Sequence, residues 1–243
     1  MSQSAFTALC YHRITDDPAA RSDPFTVRPS RFRQHMAWLA RLGWHGVSLS
    51  EALLYPSRRS IALTFDDGTA DFREEAWPVL AEFGFTGTNF VVTDCVGQTA
   101  DWPEAHGARC LSWADLRTLF AQGMEIGAHG ARHVALDALP AGTAQAELVR
   151  AWQTLHKKMG HPPAGLAYPY GRCSEEVAAL TPEVGFAWGC TARGGRNQPD
   201  TPRTRLRRTL IRGTNGPIQV VWKTLFGYAQ PVDLMMDVRR IPG

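Results

Sequence analysis

The feature that most limits how this 243-residue chain can fold is a repeated switch between two apolar periods. Short, nearly continuous apolar runs read as buried strands, and stripes at helical spacing follow them, several closed by glycine. The strands expected on this basis are Phe6 to Tyr11, Val47 to Leu49, Ile61 to Phe65, Thr88 to Thr93, Met124 to Ala128, Gly165 to Tyr168 and Phe186 to Thr191. Between them, Ser30 is placed to cap a helix through Phe32, Met36, Leu39 and Leu42. Further helical stripes run from Phe72 to Phe83, from Leu116 to Phe120 behind a Ser112/Asp115 capping box, from Ala144 to Met159, and from Val177 to Val184 behind Ser174. Strands alternating with helices imply a parallel α/β sheet covered by helices. Six or more such units, without an internal repeat or a linker rich in Gly, Ser or Pro, favour one barrel over two domains, so residues 1–243 are expected to form a single domain.

Composition excludes several classes. Hydrophobic residues at 44% and charged residues at 20% describe a chain with ample core, not a disordered or collagen-like one. No apolar run approaches the ~20 residues that span a bilayer, so no transmembrane segment is expected. Met1 to Thr7 lacks a basic region followed by an apolar one, and the five cysteines are odd in number with no C-x-x-C pair. Reduced thiols and a cytoplasmic location are the expectation. A net charge of +3 is too small to imply nucleic acid. One stretch departs from the rest: Arg193, Arg196, Arg203, Arg205, Arg207, Arg208 and Arg212 face only Asp200. Such a cluster can grip phosphate bidentately or form a solvated return loop. The segment 193–243 is otherwise hard to read, apart from an apolar, partly aromatic run from Val220 to Tyr228.

In a parallel barrel the loops at the C-terminal strand ends carry the chemistry, and three polar groups fall there. Thr64-Phe65-Asp66-Asp67-Gly68 places two carboxylates side by side, which is costly unless a cation or an acid–base task separates their roles. A turn stabilised by Asp and Gly is the alternative for that motif alone. His129-Gly130-Ala131-Arg132-His133 sets two histidines four apart, able to converge on one ion if the segment winds into a helical turn. Two imidazoles and one carboxylate with an open position for water suit catalytic zinc. Tyr168-Pro169-Tyr170-Gly171-Arg172 is a turn signal. The remaining histidines (His35, His45, His106, His156, His161) show no ligand spacing, and Trp102 and Trp113 read as packing residues before sugar platforms.

These three groups, in this order, resemble the polysaccharide deacetylase family (the NodB-homology domain, carbohydrate esterase family 4), over about Ala5 to Thr191. The resemblance implies a distorted (β/α)7-type barrel. It implies a divalent metal, usually zinc, on Asp67, His129 and His133, with Asp66 as general base. It implies an oxyanion contact from the Tyr170 N–H, with Pro169 and Arg172 as neighbouring substrate or oxyanion candidates. The family's late L-x-H histidine, the usual acid, has no counterpart here, because no histidine follows His161. A subgroup that includes poly-N-acetylglucosamine deacetylases has an N-terminal Y-H segment instead, and Cys10-Tyr11-His12 matches it. His12 is therefore the expected acid. Ala167 stands where the family's R-x-P-Y arginine would be, so the group orienting Asp66 must come from elsewhere, with Arg172 a candidate.

The activity expected is hydrolysis of N-acetyl groups on a poly-, oligo- or carrier-linked saccharide, the arginine cluster suiting a phosphate- or lipid-linked form. Two other readings stay open: an amide hydrolase on a non-carbohydrate substrate, and a non-catalytic glycan-binding module.

Overall fold

A computed structural model describes residues 5–57, 59–105 and 107–228; His106 and the end of the arginine-rich segment, 229–243, lie outside them. The strands are short and buried on both faces, as parallel strands covered by helices must be. In chain order they are β1 (Ala8–Tyr11), β2 (His45–Val47), β3 (Ser60–Phe65), β4 (Thr88–Val91), β5 (Glu125–Ala128), β6 (Gly165–Ala167), β7 (Trp188–Cys190) and β8 (Thr209–Leu210). The helices are α1 (Pro29–Arg41), α2 (Leu49–Leu54), α3 (Trp77–Glu82), α4 (Trp113–Ala121), α5 (Ala141–Met159), α6 (Glu175–Val184) and α7 (Pro217–Phe226). Every pairing is parallel, in the order β7-β6-β5-β4-β3-β1-β8, with β2 against the first half of β3. The curled parallel sheet and its helices form the distorted (β/α)7-type barrel that the alternation implied.

Two cores follow from the strand alternation. Leu9, Tyr11, Leu63, Phe65, Val91, Ile126 and Leu166 pack with helix residues such as Phe32, Met36, Leu39, Leu116 and Leu148. Ala8, Ala62, Phe90, Ala167, Trp188 and Cys190 form a smaller cluster with Val47, Leu49 and Ala52 from β2 and α2.

The last stave depends on a turn in the arginine-rich segment. Leu206 bonds to β7, its N–H to Gly189 at 2.9 Å and its carbonyl receiving the Thr191 N–H at 2.9 Å. Three residues later β8 pairs with β1, where Leu9 faces Thr209. Residues 206–210 thus bridge the two ends of the sheet, and Arg208 sits at the changeover.

Local signals act largely as expected. Ser112 and Asp115 form a reciprocal capping box on α4, and Ser174 accepts the Val177 N–H at 3.2 Å on α6. Such caps stabilise by roughly 1 kcal/mol each. Ser30 does not cap α1: the helix begins at Pro29, whose missing N–H and fixed φ suit the first helical position. Leu49, expected to end a strand, opens α2 behind Ser48, whose hydroxyl accepts the Glu51 N–H. Val220 to Phe226, unassigned from the sequence, belongs to α7. The five cysteines are free thiols. No helix among the described residues is long and apolar enough to cross a membrane.

Candidate metal centre and base

His12, Asp66, Asp67, His129 and Tyr168 each follow the last residue or two of β1, β3, β5 or β6, so the chemistry gathers at one mouth of the barrel. One ligand atom each from Asp67, His129 and His133 lies within 4.8 Å of the others. Asp67 Oδ1 is 3.7 Å from His129 Nε2 and 3.6 Å from His133 Nε2. These distances are too long for hydrogen bonds. They are close to the ~3.4 Å edge of a tetrahedron with bonds of ~2.1 Å, the geometry of zinc on nitrogen and oxygen.

The donor chemistry fits as well. His129 Nδ1 donates to the Ala167 carbonyl at 2.8 Å, which leaves the Nε2 lone pair facing Asp67. Burial holds both imidazoles neutral, as ligation requires. His133 is pushed down to about 2 by burial and by the neighbouring His129; His129 is lowered by burial, with Arg208 and His12 adding to it. Asp67 takes a left-handed backbone at φ 73°, a conformation Asp tolerates better than most residues and one that clusters at functional sites.

The histidines do not converge through a helical turn. Residues 129–133 form an irregular bend in which Gly130 has φ +79°, and a Cβ there would meet the Arg132 carbonyl at 2.7 Å. The bend is pinned from α5: buried Glu147 accepts the Arg132 N–H at 3.0 Å and its Nε–H at 2.8 Å.

Asp66, 4% exposed, is gripped by Arg208, which is fully buried. Arg208 Nη1 donates to Oδ1 at 2.6 Å and Nη2 to Oδ2 at 2.8 Å. The guanidinium is itself fixed by Nε–H to the Thr191 carbonyl at 3.1 Å and by Nη1 to Thr64 Oγ1 at 3.2 Å. Burial alone would raise the Asp66 carboxyl, but Arg208, with His129 and His12, outweighs it and holds the group well below the usual carboxylate range. Cys10 adds a weak S–H donation to Oδ2 at 3.4 Å. Arg172, a candidate for orienting Asp66, instead pairs with Asp137 at 3.0 Å. The sequence offers Arg208 only as one of a cluster suited to phosphate; the sheet's closing turn brings it to Asp66 instead.

A ring nitrogen of His12 comes within 4.8 Å of Cys10 Sγ and an Asp66 oxygen. This second group does not suit a cation, because Arg208 already neutralises Asp66 and burial pushes the Cys10 thiol well above its ordinary range. His12 is stacked on Phe25, centroids 5.3 Å apart, and the Arg212 guanidinium lies over the same phenyl ring at 5.9 Å. Pro169 is buried and Tyr170 half exposed at φ 59°, its ring 4.5 Å from that of His133. Trp102 is buried, stacked on His133 at 4.8 Å.

Most of the arginine cluster is engaged within the chain. Arg196 donates to the Leu225 and Ala5 carbonyls, Arg205 pairs with Glu175, Arg207 reaches the Gly194 carbonyl, and Arg208 holds Asp66.

Comparison with known proteins agrees with this arrangement of fold and motifs. The polysaccharide deacetylase family model matches residues 55–188, more than half of the chain. A poly-beta-1,6-N-acetyl-D-glucosamine N-deacetylase of Staphylococcus epidermidis is 24% identical over 230 residues, covering 84% of this chain and 78% of that protein. The Streptococcus pyogenes deacetylase PplD, solved in complex with acetate, superposes with a TM-score of 0.80 at 23% identity, covering 92% of this chain and 99% of that one. IcaB from Ammonifex degensii gives 0.78 at 23% identity, covering 91% and 98%. With its barrel, its motif order and a family match across the segment bearing both the aspartate and the histidine motifs, the chain belongs to the polysaccharide deacetylase family, hydrolases that remove acetyl groups from N-acetylated carbohydrate.

Proposed function

We propose that the protein is a zinc-dependent N-deacetylase in which Asp66 is the base and His12 the acid. The observation that carries this reading is the convergence of Asp67, His129 and His133 beside a carboxylate that a buried arginine keeps ionised. Asp67, His129 and His133 would hold the ion, which when bound supplies polarisation of the acetyl carbonyl and a more acidic water. A carboxylate held as low as Asp66 takes a proton poorly from ordinary water, so its chemistry fits a water made acidic by a neighbouring cation.

Asp66 accepts the proton of the attacking water, and Arg208 keeps its two oxygens from turning away. The carbonyl oxygen gains negative charge as the tetrahedral centre forms, and the Tyr170 N–H is the proposed backbone donor to it. The amine leaves only when protonated, and His12 gives it that proton. The substrate class is an N-acetylhexosamine glycan. A β-1,6-linked N-acetylglucosamine polymer is the first member to test, because the staphylococcal relatives are named for it.

The test is acetate release from N-acetylhexosamine polymers, oligomers and carrier-linked sugars, with zinc measured in the same samples. Wild type should release acetate, and chelation should abolish it. His12→Ala should lower kcat by 10²-fold or more at unchanged zinc content, in line with the roughly 10²–10⁴-fold worth of a positioned acid. Near wild-type turnover by His12→Ala would remove His12 from the mechanism. Turnover confined to non-carbohydrate amides would overturn the substrate class.

A further inference from the structure

The two histidines are held in different ways. His129 is fixed by a hydrogen bond from Nδ1 to the Ala167 carbonyl. The Nδ1 of His133 is buried and has no hydrogen-bond partner among the described residues, and no hydroxyl side chain lies between the two histidines. A metal-binding imidazole usually owes its orientation to a partner on its other nitrogen. His133 has aromatic faces instead: the Trp102 indole is stacked on it at 4.8 Å and 27°, and Tyr170 is set against it at 4.5 Å and 60°.

Trp102 belongs to a loop built to stay in place. The described residues of 93–111, between β4 and α4, form an apolar cluster of Ala100, Trp102, Ala105, Ala108 and Cys110 with Val92 just before them and Cys95 against it. An isolated bridge between Thr99 and Arg109 ties the loop to itself. At one end, the N–H groups of Thr93 and Asp94 donate to the carbonyls of Gly130 and Ala131, inside the histidine bend, at 3.2 and 3.0 Å. At the other end, Leu111 N–H donates to the Gly68 carbonyl at 2.9 Å and Ala70 N–H to that of Arg109 at 2.8 Å, next to the aspartate pair. One loop thereby joins both segments that carry the metal ligands and lays an indole on one of them.

We propose that the 93–111 loop is a positioning element of the metal centre, and that Trp102 sets the ring of His133 by stacking, as the Ala167 carbonyl sets His129 by a hydrogen bond. Trp102, 3% exposed, is a positioning residue that acts through His133. The requirement is a flat face on the imidazole, so another aromatic ring should serve and an aliphatic side chain of similar volume should not. The inference rests on the metal centre proposed above.

The experiment compares Trp102→Phe and Trp102→Leu with wild type. Each protein is stripped with a chelator and titrated with zinc against a chromophoric competitor, and folding of the stripped protein is followed by far-UV circular dichroism and thermal melting. Trp102→Phe should bind zinc within about threefold of wild type, and Trp102→Leu should bind 10- to 100-fold more weakly, the usual cost of losing a supporting contact to a ligand. Equal affinities for Trp102→Leu and wild type would overturn the role of Trp102 while leaving the metal centre standing. Equal losses in both variants would show that indole volume, not an aromatic face, is what matters, and would also overturn it. Wild type that binds no zinc would overturn the metal centre, and this inference with it. If Trp102→Leu does not fold, Tyr170→Leu, which removes the other and more exposed face, takes its place: a loss of several-fold against Tyr170→Phe supports the clamp, and no difference overturns it.

Discussion

At the scale of single residues, the Asp66–Arg208 pair bears on stability and, in the proposed mechanism, on the chemistry. Two opposite charges have been taken almost wholly out of water, and their attraction offsets that desolvation because the geometry is bidentate and Arg208 makes further hydrogen bonds to Thr191 and Thr64. Removing one partner strands the other. Arg208→Ala should therefore destabilise the fold by about 3–5 kcal/mol and abolish measurable turnover. Adding Asp66→Asn should recover part of that stability, because the buried charge left behind is gone. Urea denaturation of wild type, both single variants and the double variant checks this; strictly additive losses would mean that the pair is not coupled. Arg208→Lys keeps a charge but not the fork, and should lower kcat by at least tenfold with smaller effects on stability. The same pair marks the limit of reading side chains from a linear sequence. Asp66, Asp67 and His129 stand out because each sits just past a strand, and His133 because it follows His129 at a spacing that metal chemistry uses. Arg208 is one of seven arginines in a stretch with one carboxylate, 142 positions from its partner, and nothing local distinguishes it from Arg205 or Arg207.

At the scale of elements, strands and long helices were readable and the shapes of loops were not. β3 and α5 declare themselves by continuous and periodic burial, and the cap residues Ser112 and Ser174 mark where α4 and α6 begin. The histidine bend follows another rule, since its course is dictated by a glycine at positive φ and by an acidic residue one helix later. Glu147 lies on the buried face of α5, where a charge is expensive unless paired, and it is paired with both the backbone and the side chain of Arg132. That contact anchors the middle of the bend to a rigid helix. Glu147→Gln keeps one acceptor and loses the charge, so it should weaken a charge-assisted interaction by about 1–3 kcal/mol. The expected readings are a lower urea midpoint and a several-fold weaker zinc affinity. Loss of stability with zinc affinity intact would show that Glu147 supports α5 and not the ligand geometry. β8 is illegible for a different reason: two residues long and preceded by arginines, it is a strand only because β1 offers it an edge, after Leu206 has bridged to Cys190 of β7.

At the scale of the whole molecule, closure of the barrel is tied to a titrating group outside the candidate metal centre. His35 on α1 is fully buried. Its Nε2 donates to the Asn215 carbonyl at 2.9 Å, and its Nδ1 accepts the Tyr11 hydroxyl at 3.3 Å. The neutral ring therefore joins β1, α1 and the approach to α7, while Arg31 from the same helix donates to the Gly213 carbonyl at 2.8 Å. Burial, with the charge of Arg31 helping against the Asn215 hydrogen bond, lowers His35 from 6.5 to about 4. Above pH 6.5 the ring is neutral whether the chain is folded or not, and it adds no pH dependence. Below that value the unfolded chain takes up a proton that the folded chain refuses until about pH 4, so stability falls as the pH drops through this window. The full loss is on the order of 3 kcal/mol for a shift of this size. His129 and His133 respond in the same direction, so the decisive quantity is the difference between wild type and His35→Gln, both measured with the same metal content. Glutamine can still donate to Asn215 and accept from Tyr11 but carries no proton to titrate. The variant should be somewhat less stable at pH 7.5, and should lose less stability than wild type between pH 6.5 and 4. Urea midpoints across that range measure it, and parallel curves for the two proteins would place the acid sensitivity of the barrel elsewhere.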